Sequence, residues 1–215
     1  MHVSRNKRLI KGSICILKKE SEDHHTTSHK HLFPVVSDHI QQSNISDHSL
    51  FLHGGIIFSH MVYNGTNYDD DMKAIGMDKS AMEWCKITDP FQQPTDYRKD
   101  KGWWTGISLW YNYELPTQPD EDIIRIAYTF PLPIDLLETA DEDYFGDIGF
   151  WGSAYDLKTM RIFKGTQDVY VYIETLKDSD HSFLLEIIAR VMKTEIAPVA
   201  MAEVLHTKND YSVQG

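Results

Sequence analysis

The sequence is poor in cysteine and has no long apolar run. Its two cysteines, Cys15 and Cys85, lie far apart, so we expect no disulfide framework and a reducing compartment. The apolar run at residues 14–17 is too short for a secretory signal, and no stretch approaches the roughly 18 apolar residues that a membrane-spanning helix needs. These absences predict a cytoplasmic protein without a membrane-spanning segment.

Basic residues are also scarce. Lysine and arginine total 21 against 32 aspartates and glutamates, which gives a formal net charge of −11. This balance argues against nonspecific binding to nucleic acids or to anionic membranes, because both need basic patches. There is no glycine-rich phosphate loop, so we expect no cofactor. Small neutral or cationic molecules remain as candidate ligands.

The first half predicts the order strand, helix, two-stranded hairpin, helix, strand. Period-two alternation indicates strands, and apolar residues at spacings of three and four indicate helices. Gly54 and Gly55 separate the hairpin strands, because glycine tolerates the positive φ of a tight turn. The polar residues 18–27 are interpreted as a connection. The predicted segments are residues 8–17, 32–44, 48–52, 56–63, 72–86 and 103–113.

The second half predicts the same order again, although the two halves share no visible sequence identity. Its second segment, residues 133–150, is a helix-and-loop region that is acidic and has no histidine. The remaining predicted strands and helix are residues 124–130, 157–163, 169–173, 183–192 and 202–207.

This repeated order predicts an α+β fold of two tandem ferredoxin-like, or split βαβ, units with antiparallel sheets. Prolines and acidic residues interrupt the alternation at residues 116–122, which we interpret as a linker between domains at residues 1–115 and 123–208. The units could pair as an intramolecular dimeric αβ barrel or stay independent. Internal pairing predicts a monomer; a homodimer is the alternative.

Three groups of motifs in the first half carry a resemblance to a known family. The first is His29-Lys30-His31-Leu32-Phe33-Pro34, and the second is the segment 45–52 with its glycine turn and Ile57-Phe58. The third comprises Asp69-Asp70-Asp71-Met72, Met82-Glu83-Trp84-Cys85-Lys86-Ile87-Thr88-Asp89-Pro90 and Gly102-Trp103-Trp104. From about residue 7 to residue 115 the chain resembles the L-rhamnose mutarotase family; the second half resembles no family that we can name.

The resemblance implies a sugar-binding αβ-barrel protein that interconverts the anomers of L-rhamnose without a cofactor. His29 falls on the family's catalytic histidine. Where the family has two tyrosines, this chain has His25 and His48, and where the family has the second tryptophan of a pair, it has Cys85. Both tyrosine replacements keep a titratable ring that forms hydrogen bonds.

Mutarotation needs one group to take the proton of the anomeric hydroxyl and one to protonate the ring oxygen. Histidine can do both near neutral pH, so we interpret His29 as the principal acid and base, with His25 and His48 as helpers. If these rings keep their ordinary pKa, anomer exchange should fall as the pH drops through about 6. The corresponding segment of the second half is acidic and has no histidine, so we predict one site per chain, in the first half.

A sugar also needs an apolar platform, for which Trp84 is the candidate; otherwise it is a core tryptophan. Asp89, Trp103 and Trp104 complete the predicted sugar-binding set. Asp89 could instead only fix a turn before Pro90, and the tryptophan pair could begin a strand, with one ring on each face.

Other functions remain open. His25 and His29 are four residues apart and could share one helix face, which is also metal-ligand spacing, but no third ligand is obvious, so we predict no metal site. The first alternative to a mutarotase is a noncatalytic sugar- or small-molecule-binding protein of the same fold. The second is a cofactor-free oxygenase or haem-linked protein of the wider dimeric αβ-barrel group, which depends on fold analogy alone.

Overall fold

The computed structural model describes eight parts of the chain: residues 8–31, 38–40, 43–95, 102–118, 121–132, 156–179, 182–191 and 199–208. Two compact units divide it. The first unit is Met1–Gly106 with Glu203–Gly215, and the second unit is Ile107–Ala202. No helix in these described parts is long and apolar enough to cross a membrane.

Among its described residues, the first unit has an antiparallel sheet, three α-helices of nine or ten residues and a helical segment at residues 38–40. Strand β3 pairs with both β1 and β2, β1 also pairs with the short β4, and β9 is the next neighbour of β2. The elements are β1 (Leu9–Leu17), α1 (Glu22–Lys30), β2 (Ile45–His53), β3 (Ile56–Tyr63), α2 (Tyr68–Met77), α3 (Lys79–Thr88), β4 (Gln92–Gln93), the start of β5 (Thr105–Glu114) and the end of β9 (Val199–Lys208).

The predicted hairpin is confirmed. Gly54 and Gly55 have φ values of +56° and +77°, which place both in the left-handed region that a two-residue turn between twisted strands requires. The register pairs Leu50 with Ser59 and Leu52 with Ile57, so these four residues lie on one face of the sheet.

The helices of the first unit differ from the prediction. Helix α1 begins inside the polar stretch at residues 18–27 and continues to Lys30, and it was not predicted because its polar sequence has no apolar periodicity. Of the helix predicted at residues 32–44, residues 38–40 are helical, and residues 32–37 and 41–42 lie outside the described residues. The helix predicted at residues 72–86 is two helices, since the Asp78 carboxylate caps α3 by accepting from the Ser80 and Ala81 amides at 2.8 and 3.0 Å.

The second unit is also an antiparallel sheet, in the order β9, β6, β8, β7, β5. Its elements are the rest of β5, β6 (Ile123–Pro131), β7 (Leu157–Lys164), β8 (Asp168–Leu176), α4 (Ser182–Val191) and the start of β9. Ile188 of α4 packs in a buried apolar cluster with Phe130, Met160 and Val171. The predicted helix-and-loop region at residues 133–150 lies outside the described residues.

Charged and polar side chains of the second unit form a buried network. Glu174 accepts hydrogen bonds from the Thr159 hydroxyl at 2.8 Å and the Tyr172 hydroxyl at 3.0 Å. Arg161, which is 2% exposed, donates to Glu114 at 2.8 Å. Because these charges are paired and hydrogen-bonded, their burial is tolerated.

The α+β class with ferredoxin-like units and antiparallel sheets is confirmed. The residues at 115–118 and 121–122 are irregular, as expected of a connection between β5 and β6. The compact units, however, divide within strands, between Gly106 and Ile107 of β5 and between Ala202 and Glu203 of β9. The last strand therefore contributes to both units, which the predicted domains at 1–115 and 123–208 do not anticipate.

Candidate functional site

Helix α1 buries two histidines and no apolar residue. His25 is 0% exposed and His29 is 7% exposed, and their spacing of four places them on the same helix face. Their Nε2 atoms lie 3.1 Å apart, within hydrogen-bond distance. Such a bond between neutral rings requires one Nε2 to carry the proton and the other to accept it.

Helix α3 brings a tryptophan against this pair. The Trp84 ring contacts the His29 ring edge to face, with centroids 5.0 Å apart and an interplanar angle of 75°. The Asp78 cap fixes the start of α3, and at its other end the Thr88 hydroxyl donates to the Trp84 carbonyl at 3.2 Å. The two helices thus place an imidazole and an indole side by side.

The hairpin supplies a third histidine. The His48 Nε2 lies 3.2 Å from the Ser59 hydroxyl, and His48 shares a sheet face with Leu50, which is paired with Ser59. The Nδ1 atoms of His25, His29 and His48 are buried and have no hydrogen-bond partner among the residues that the structure describes. A buried polar atom in this condition costs free energy unless a bound group satisfies it.

These residues meet at a cavity of about 240 Å³ inside the first unit. Two tryptophans and several aliphatic side chains form its apolar wall. Helix α1, helix α3 and the β2–β3 hairpin each contribute polar groups. The lining residues are His29, Ile40, His48, Leu50, Ser59, Trp84, Cys85, Thr88, Asp89, Gln92, Trp104 and Leu205.

Burial sets the charge state of the histidines. Desolvation lowers the pKa of His25 to about 4 and that of His48 to about 4. The pKa of His29 is lowered to about 3, first by desolvation and then by the neighbouring His25 and His48. All three rings are neutral at physiological pH. The fall in activity expected from an ordinary histidine pKa near pH 6 therefore moves to a lower pH.

The cavity brings together five of the seven residues predicted from the sequence: His29, His48, Trp84, Asp89 and Trp104. His25 is not in the lining and contacts the site through His29. Trp103 is also outside the lining and is 39% exposed. The strand argument for the tryptophan pair does not apply, because β5 begins at Thr105.

The sequence did not single out Ser59, Gln92 and Leu205 as site residues. Ser59 could have been found from the hairpin register, since it faces Leu50 two residues beyond His48. Gln92 follows the Thr-Asp-Pro motif by two residues. Leu205 carries no local signal, because it comes from the far end of the chain. Within the described ranges there is no cluster of three or more histidine, cysteine, aspartate or glutamate residues that could hold a metal ion.

Comparisons with known proteins agree with the motifs. Residues 11–112 match the family model described as L-rhamnose mutarotase. No curated protein sequence matches the chain.

Solved structures share the fold at low identity. A proposed monooxygenase from Fusobacterium nucleatum is similar with a TM-score of 0.56 at 9% identity, and the match covers 94% of each chain. A proposed monooxygenase from Lactobacillus acidophilus gives a TM-score of 0.56 at 5% identity and covers 94% of this chain and 96% of its own. An anthrone oxidase-like protein gives 0.50 at 6% identity, over 96% and 98%. At such identities the likeness shows the fold alone.

Proposed function

We propose that the chain is a mutarotase, an isomerase that interconverts the anomers of L-rhamnose or of a similar deoxysugar, because residues 11–112 match the family model described as L-rhamnose mutarotase. We place the reaction in the cytoplasm, as the composition predicts. The partner is a small sugar, and the reaction needs no cofactor.

One observation carries this proposal. Two histidines whose buried Nδ1 atoms have no partner in the described chain, His29 and His48, line the same small cavity as Trp84. A hydroxyl-rich ligand would satisfy such nitrogens, and an indole ring is a suitable surface for the C–H face of a sugar. The cavity, at about 240 Å³, is smaller than the roughly 300–1,000 Å³ of pockets for drug-sized ligands, so it suits one sugar ring.

In the proposed reaction His29 is the principal acid and base. Its neutral ring takes the proton of the anomeric hydroxyl, and the ring of the sugar opens when the ring oxygen is protonated. A lowered pKa makes the neutral imidazole a weaker base but makes the imidazolium a stronger acid, which favours protonation of a weakly basic ring oxygen. His48, which contacts Ser59, and Asp89 line the same cavity and bind the sugar hydroxyls in this proposal.

The test is anomer exchange measured by saturation-transfer NMR on L-rhamnose. His29→Ala should reduce the enzyme-dependent exchange by at least roughly a hundredfold, the lower bound for a lost general acid and base. His24→Ala is the matched control: it lies on the same helix, is exposed and is outside the cavity lining, so it should keep wild-type exchange. Equal exchange in wild type and His29→Ala would contradict the proposal.

A noncatalytic sugar-binding protein is the second candidate. Three positions at which the chain differs from the family pattern favour this candidate, because all three are at the cavity. His48 and Cys85 line it, and His25 contacts the lining residue His29. The same NMR samples separate the two: saturation transferred from protein to L-rhamnose without exchange between its anomers would favour the binding protein.

A further inference from the structure

We propose that His25 is a positioning residue that shares a proton with His29 and so lets one ring serve as base and then as acid. The inference rests on the proposed mutarotase function. It assigns to His25 a role that is not contact with the sugar.

The two histidines differ in their position relative to the cavity. His29 lines the cavity, whereas His25 is 0% exposed, lies outside the lining and contacts His29 at 3.1 Å between the Nε2 atoms. With its Nε2 engaged by His25, His29 has one ring nitrogen, Nδ1, left for a sugar hydroxyl. The contact therefore fixes which nitrogen of His29 reacts, as a hydrogen bond to the second nitrogen of a catalytic histidine generally does.

The proposed reaction neither consumes nor releases a proton. The anomeric O–H proton moves to His29 Nδ1 while its oxygen forms the C=O of the open sugar, and the electron pair of the C1–O5 bond goes to the ring oxygen. The same proton then passes from His29 to that oxygen. Closure on the other face of C1 runs these transfers in reverse, so no proton is gained or lost.

His25 acts while His29 holds this extra proton. His29 is then an imidazolium whose Nε2–H donates to the neutral Nε2 of His25, and a charge-assisted hydrogen bond is stronger than one between neutral groups. Without an acceptor on this side, the cation would be buried beside Trp84 with one donor unsatisfied. His25 thus stabilises the charged intermediate more than the resting enzyme, which raises kcat and not affinity.

A metal site is the competing explanation for two Nε2 atoms that face each other, and the residues fit it poorly. Ligating histidines nearly always donate their second ring nitrogen to an acceptor, yet both Nδ1 atoms lack a partner within the described chain. A third ligand is also lacking among the described residues.

The decisive experiment compares His25→Phe with His25→Gln in the saturation-transfer assay at varied L-rhamnose concentration. Phenylalanine fills the space without accepting a hydrogen bond, and it should lower kcat by roughly 10- to 100-fold with little change in KM. Glutamine offers an amide oxygen to His29 and should restore a large part of kcat. Equal kcat in wild type and His25→Phe, or an equal loss in both variants at unchanged thermal stability, would overturn the inference.

A second measurement does not depend on the variants folding. Long-range ¹H–¹⁵N spectra of the wild-type histidines should show His25 and His29 as neutral rings, one protonated on Nε2 and the other on Nδ1. Two rings of the same tautomer, or Zn²⁺ titration that perturbs both rings at stoichiometric metal, would overturn the shared proton.

The two proposals fail in different ways. A wild-type chain that exchanges no anomers overturns the mutarotase and the role of His25 together. A wild-type chain that exchanges them while His25→Phe keeps its kcat overturns the role of His25 alone.

Discussion

Three histidines with lowered pKa values, His25, His29 and His48, make the stability of the fold depend on pH. Their folded-state pKa values of about 3 to 4 lie below the ordinary value of 6.5, so below pH 6.5 the unfolded chain binds protons that the folded chain does not. The free energy of unfolding should therefore fall as the pH drops from about 6.5 to 4, by roughly 1.4 kcal/mol per pH unit for each histidine.

Urea unfolding at pH 7, 6, 5 and 4.5 measures this slope. His48→Gln should make the slope shallower by about one third, while His24→Gln, an exchange of an exposed histidine, should leave it unchanged. A free energy of unfolding that stays constant from pH 7 to 4.5 would show that the histidines are not buried as described.

The positions of some site residues could be predicted from the sequence, but their charge state could not. His29 and Trp84 could be predicted because they lie in motifs, and the spacing of His25 and His29 indicated a shared helix face. Their neutrality could not be predicted, since it depends on burial. Helix α1 has no apolar residue from which a buried face could be predicted, and its buried face consists of the two histidines.

At the scale of elements, the β2–β3 hairpin depends on the second glycine of its turn. Gly55 has φ of +77°, where a β-branched residue is strained by roughly 1–2 kcal/mol, so Gly55→Val should lower the free energy of unfolding by at least that amount. Gly54→Asn is the matched control, because asparagine tolerates φ near +56° and no atom lies within 4 Å of its Cβ position. Equal unfolding midpoints in urea for the two variants would contradict the turn geometry.

Strands were easier to predict than helices for a physical reason. Strands such as β3 and β8 are almost entirely buried, so apolar residues mark them, and all the long strands, including the more exposed β5, were placed to within a few residues of their observed bounds. Helix α3 has a sequence of mixed polarity, and its boundary with α2 depends on one capping carboxylate, Asp78, inside a region of continuous helical composition.

At the scale of the whole molecule, the tandem arrangement predicts the oligomeric state. If the two halves pair within one chain, as the repeated order of elements predicts, we expect a monomer of 24.9 kDa. Sedimentation equilibrium at micromolar concentration measures this mass. A stable species of twice that mass would count against internal pairing.

Because strand β9 contributes to both units, the first unit is completed only after the second unit has been synthesised. Residues 203–208 complete the first unit, with Leu205 in the cavity wall, but they are synthesised after the whole second unit. At ribosomal speeds the interval between Gly106 and Glu203 lasts roughly 5–20 seconds, during which the nascent first unit leaves the β9 edge of β2 unpaired. The candidate cavity can thus close only after the second unit has been translated, and a ribosome that stalls before residue 203 leaves a chain with every candidate catalytic histidine but without Leu205 in the cavity wall.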